Sequence, residues 1–144
     1  MRHGVSLINL LYVNMELDTA KNYYITRSKQ IIDATESMAK DSYGIIEQFK
    51  RNKVTKYKEK LTEYYNWLRE YDAVYSAHLS ISGTINELQI KQSQAIIVEQ
   101  ARNLFISSLR NYENEISNIE NSLNFRLTTG IAIIAMVISV LGLI

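Results

Sequence analysis

The side chains able to do chemistry are few in this sequence. The histidines are His3, close to the amino terminus, and His78, inside an apolar repeat. There is no His-Glu-x-x-His pattern for zinc and no Glu-x-x-His pair of the kind that builds a di-iron bundle. A phosphate-cradling glycine loop and a Gly-x-Ser-x-Gly elbow are also missing. Cysteine is absent, which excludes thiol catalysis, cysteine-ligated zinc and a disulfide scaffold. Aspartates and glutamates fall mostly at solvated helix positions, so none stands out as a general base. Arg27, Asp41 and Arg102 occupy seam positions, where charged residues set register and pairing. The expectation is a protein that is not an enzyme, with no cofactor and no small-molecule substrate. Sixteen basic and 15 acidic residues give a net charge of +1, so no nucleic-acid partner is expected either.

The elements that must carry the function are helices. Proline is absent, and glycine occurs only at positions 4, 44, 83, 130 and 142. A β-rich domain needs far more turn residues. Three heptad frames follow one another. In the first, Leu10, Leu17, Tyr24, Ile31, Met38 and Ile45 recur at seven-residue spacing, with Val13, Ala20, Arg27, Ala34 and Asp41 as companions. In the second, Val54, Leu61, Leu68 and Tyr75 run beside Tyr57, Tyr64, Tyr71 and His78. The third sets Ala95, Arg102, Leu109, Ile116 and Leu123 beside Val98, Phe105, Tyr112 and Ile119, and the latter column ends at Arg126. Such seams mark helices that pack lengthwise on one another. The polar stretch "FKRNKVTK" around Asn52 is the expected first turn. Gly83, followed by the Thr84-x-x-Glu87 capping box, predicts a tight second hairpin. The alternative there is one helix running straight through with a kink.

The predicted fold is all-α: an elongated up-down-up three-helix bundle or antiparallel coiled coil whose last helix continues into a C-terminal transmembrane helix. The body covers residues 1–126, with helices at about 5–50, 54–82 and 85–126, and the membrane segment covers 127–144. No cleavable signal peptide is evident at the start. From Leu127 to Ile144 no residue is charged. As a helix this stretch spans roughly 27 Å, against a hydrocarbon core of about 30 Å. A single-pass anchor with a cytoplasmic body is expected. Ala132, Ala135, Ser139 and Gly142 form a small-residue face that would let membrane helices approach closely.

Two surface features complete the sequence reading. Lys50, Arg51, Lys53, Lys56, Lys58 and Lys60 crowd the first turn. Counted back from a hairpin at Gly83, this turn falls opposite residues near 112, roughly 20 Å short of Leu127. Its cations would then face Glu113, Glu115 and Glu120 rather than anionic lipid. The first helix outruns the second, which leaves Val5, Leu7, Ile8, Leu10, Leu11, Tyr12 and Val13 as an overhanging apolar patch suited to assembly. The expected partners are membrane lipid and either further copies of the chain or another membrane subunit. The expected role is a structural scaffold, a coat subunit or a virion membrane protein. The alternatives are an accessory or pore-associated subunit of a transport complex, and a helical sensor or adaptor.

Overall fold

The computed structural model describes the backbone of residues 3–78 and 85–142, and side chains over 17–73 and 92–142. The described chain is almost wholly helical, and no strand occurs among the described residues. The elements are α1 (His3–Lys40), α2 (Ile45–Lys50), α3 (Asn52–His78) and α4 (Ile85–Leu141).

Side-chain pairs fix the directions of the helices. Tyr24 meets Phe105, and Arg126 reaches the Tyr43 carbonyl, so α1 and α4 run parallel. Asp72 meets Arg102, Tyr64 meets Tyr112, and Lys58 meets Glu120, so α3 and α4 run antiparallel. The chain therefore reverses twice, and the straight-through alternative for the second and third helices is excluded. Gly83 and Thr84 lie outside the described residues, as does the Glu87 side chain.

The heptad columns largely become the core. Val98, Phe105, Tyr112 and Ile119 are buried, as are Leu109, Ile116 and Leu123, facing Tyr24, Ile31 and Met38 of α1. The backbones of α1 and α4 lie close together over the longest stretch, whereas α1 and α3 meet mainly through long side chains. Small buried residues explain the close pair: Ala20 and Ser28 on α1, Ala101 and Ser108 on α4. The two serines would be costly to bury unbonded. Each turns its hydroxyl back onto its own helix: Ser28 donates to the Tyr24 carbonyl (2.7 Å) and Ser108 to the Leu104 carbonyl (2.9 Å). Each then occupies little more space than an alanine.

The first turn departs from expectation. The predicted helix over about 5–50 ends at Lys40, and the stretch Asp41-Ser42-Tyr43-Gly44 is non-helical. Aspartate, serine and glycine favour turns, so the break carries an ordinary local signal. Ile45, which continues the first column by spacing, is consequently 74% exposed. A second kink follows at Arg51, whose φ of 51° and ψ of 29° place it in the left-handed region. That conformation costs a non-glycine residue about 1–2 kcal/mol. Local bonds offset it. The Arg51 amide donates to the Glu47 carbonyl (3.1 Å), and its guanidinium donates to Asn124 of α4. The Glu47 carboxylate accepts the amides of Lys53 (2.6 Å) and Val54 (3.4 Å) and so caps the start of α3.

Three substitutions test these packing claims. Ser28→Leu, placed where α1 and α4 press together, should cost about 1–3 kcal/mol through overpacking, while Ser28→Ala should be tolerated. Glu47→Ala should cost about 1 kcal/mol through loss of the cap. Chemical denaturation followed by far-ultraviolet circular dichroism measures all three.

Candidate functional site at the foot of the bundle

The end of the bundle formed by α2, the adjoining loop and α4 residues 119–130 is called the foot here. Its position is set from the other half of the molecule. Arg102 donates through Nε and Nη2 to the two Asp72 oxygens, at 2.9 and 2.6 Å. Tyr24 donates to the same carboxylate at 2.6 Å. One group from each long helix thus meets at one level. Burial opposes ionisation of Asp72, but the Arg102 fork and the Tyr24 hydroxyl outweigh it and hold its pKa below the usual carboxylate range. Burial and the adjacent Asp72 carboxylate push the Tyr24 hydroxyl far upward, so it stays a donor. Hydrogen bonding to Asp72 raises Arg102 further above its ordinary value.

The other two seam charges also reach α3, Arg27 from α1 and Asp41 from the loop that follows it. Arg27 lies over the Trp67 ring at 4.0 Å and the Tyr23 ring at 5.4 Å, and Tyr23 stacks on Tyr71 with centroids 3.8 Å apart. Asp41 accepts from Tyr57 and pairs with Lys53 at 3.2 Å; these partners, Tyr57 first, lower its pKa. The tyrosine column therefore packs and bonds between helices. The His78 side chain lies outside the described residues.

The basic turn sits lower than the sequence count places it. Arg51 reaches Asn124 and lies 3.9 Å from Glu120, while Lys58 pairs with Glu120 at 2.7 Å. The turn stands opposite residues 120–126, not opposite residues near 112. The count assumed a hairpin closing at Gly83. The observed register instead carries α4 about three turns past the level of His78 before it begins at Ile85, and the whole of α3 shifts toward the foot. Of the three glutamates expected to face the lysines, only Glu120 does. Glu113 accepts from Tyr65, and Glu115 from Asn118. Lys50, Lys56 and Lys60 form no ion pair among the described residues.

Below the foot, α4 continues without interruption. It carries a stretch long and apolar enough to be a candidate membrane span, and only 6% of that window is buried. Every residue from Ile131 to Leu141 is exposed. A soluble core helix can match in length and composition, but it hides that surface. Ala132, Ala135 and Ser139 are exposed, and Ser139 donates to the Ala135 carbonyl at 2.8 Å. At Gly142 an added Cβ would meet the Ile138 carbonyl oxygen at 3.4 Å. Thr128 likewise bonds its own helix, at the Asn124 carbonyl.

The N-terminal patch of Val5, Leu7, Ile8, Leu10, Leu11, Tyr12 and Val13 lies on helical backbone, with side chains outside the described residues. A different apolar strip is described, and the heptad columns did not show it. On α1, Tyr23 and Arg27 flank the buried stripe on the side facing α3, and Ile25 and Ile32 flank it on the other. On α4, Arg102 faces α3, and Ile97 and Leu104 lie on the opposite flank. At 100° per residue these flanks run together along the open side of the α1–α4 seam. The four residues are 39–50% exposed.

No group of three or more potential ligands for a metal ion occurs among the described residues. An open groove of about 190 Å³ beside Tyr43 is floored by Ile119 and Leu123. Comparison with protein-family models, curated proteins and solved structures finds no match to this chain.

The Asp72 cluster predicts a pH dependence. Its folded pKa is depressed, so its stabilisation is complete above the unfolded value of about 3.9 and is lost as pH falls through the folded value. Asp72→Asn should lower stability at pH 7 by about 1–2 kcal/mol, given a pair that remains partly exposed. It should also flatten the acid limb. Thermal unfolding between pH 7 and 3 compares the two proteins.

Proposed function

We propose that this chain is a non-enzymatic, membrane-anchored helical structural protein that works by assembling side by side with copies of itself. Its α4 helix spans the bilayer beyond Leu127 and holds the bundle upright at the surface. The observation that carries the membrane half is the abrupt change along one helix. Between Val98 and Leu123 α4 buries a full seam, and from Ile131 onward it buries nothing, though this stretch is uncharged and almost wholly apolar. Such a surface is stable in lipid and not in water.

The assembly half is supported by the strip of Ile25, Ile32, Ile97 and Leu104. A three-helix bundle leaves one side of its closest helix pair uncovered, and here that side is apolar. A neighbouring helix laid along it would complete a four-helix packing unit. The small-residue face of Ala132, Ala135, Ser139 and Gly142 is compatible with association inside the bilayer. Thr128, Thr129 and Ser139 are the hydroxyl residues from Leu127 to Ile144, and the hydroxyls of Thr128 and Ser139 are turned back onto their own helix, which argues against a self-formed pore.

Light scattering of the full chain in mild detergent tests this function. The wild type should run as an oligomer, and Ile25→Glu combined with Leu104→Glu should shift it to smaller species at unchanged helicity. A monomeric wild type contradicts the assembly role.

A further inference from the structure

We propose that α2 is an interfacial helix, lying in the headgroup boundary of the bilayer and fixing the depth and stance of the bundle above it. The inference rests on α4 being a membrane span. The level of α2 is the first observation. Arg51, just after α2, meets Asn124, and Tyr43, just before it, meets Arg126. Since α1 and α4 run parallel up to this corner, α2 stands beside the point where α4 loses its last charge, at Leu127.

Its composition is the second observation. The helix reads Ile45-Ile46-Glu47-Gln48-Phe49-Lys50 and has no buried residue. Ile45, Ile46 and Phe49 are 74%, 72% and 67% exposed. Phe125 of α4, at the same level, is 72% exposed. A short helix that buries nothing in the bundle gains nothing in water from three large apolar side chains. At a lipid boundary they are covered, and an aromatic residue suits that depth.

Charge is the third. Lys50, Arg51, Lys53 and Arg126 rim the foot. The one acid of α2, Glu47, is turned inward to cap α3 and does not face the headgroups. Glu120 and Asp41 offset Arg51 and Lys53, which leaves Lys50 and Arg126 as the cations without an ion pair among the described residues, at the level where lipid phosphates would lie. A helix this short would bind a membrane poorly by itself. Tethered beside an anchor, it acts at high effective concentration, and a weak contact suffices.

The natural sequence has no cysteine, so one introduced cysteine carries one fluorophore. Single labels at Ile46→Cys, Phe49→Cys, Thr62→Cys and Met136→Cys are placed on the full chain in vesicles of phosphatidylcholine with phosphatidylglycerol. Circular dichroism checks that each variant keeps its helicity. Quenching by aqueous iodide is compared with quenching by lipids bearing a nitroxide near the headgroup or deep in the acyl chain. The Met136→Cys label should respond to the deep nitroxide, and the Thr62→Cys label to iodide alone. The labels at positions 46 and 49 should respond several-fold more to the shallow nitroxide than the Thr62→Cys label does. If they instead follow the Thr62→Cys label while the Met136→Cys label stays deep, the interfacial role falls and the anchor stands. If they are shielded from iodide and from both lipids, protein covers α2, such as a second copy, and the inference is likewise overturned. Iodide access at Met136→Cys removes the anchor itself and this inference with it.

Discussion

The level at which Arg102, Asp72 and Tyr24 meet decides where everything else in the molecule lies. Three straight helices of ordinary pitch can slide past one another by whole heptads with little change in apolar contact, because Leu, Ile and Tyr columns repeat. A bidentate ion pair joined by a phenol hydroxyl cannot slide, since displacing it strands charge in a partly dry site. From Asp72 back to Arg51 is about 32 Å of helix, and the same length along α4 from Arg102 arrives beside Asn124. The polar contact midway up the bundle thus delivers the corner between α1 and α3 to the edge of the apolar segment.

That placement connects the local chemistry of the corner to the proposed function. The kink at Arg51, the Glu47 cap and the loop from Asp41 to Gly44 are needed to bring the chain around within a few residues. By the same geometry they place α2 at the foot, with Ile45, Ile46 and Phe49 exposed. The close α1–α4 pair, made possible by Ala20, Ser28, Ala101 and Ser108, gives the bundle one tight seam with α3 covering a single side of it. The opposite side, with Ile25 and Leu104, is left uncovered by α3.

Much of this was legible in the residues. The columns through Phe105 and Leu109 and through Tyr24 and Ile31 are set by helical period alone, and they form the core. Arg27, Asp41 and Arg102 stood out as charges in a seam, and each makes a contact with another element, Asp41 from the loop after α1. What the sequence withheld was long-range register. Nothing local says that Arg102 pairs with Asp72, and a count from Gly83 displaced the corner by about three turns. The break at Asp41 was masked by the continuing seven-residue spacing to Ile45, although Asp-Ser-Tyr-Gly carries turn chemistry. The open strip lies one step off the heptad columns, so its orientation became visible only once α3 was placed.

The central claim is that α4 is one rigid helix, shared by the bundle and the membrane. Its weakest point is Thr128-Thr129-Gly130, where helix propensity is low. A pulsed dipolar distance between nitroxides at Asn114→Cys and Ile138→Cys, with labelled chain diluted in unlabelled chain in vesicles, tests it most directly. An unbroken helix predicts a single narrow distribution near about 36 Å. A broad distribution, or one centred well below that value, would show that the helix breaks at the membrane edge.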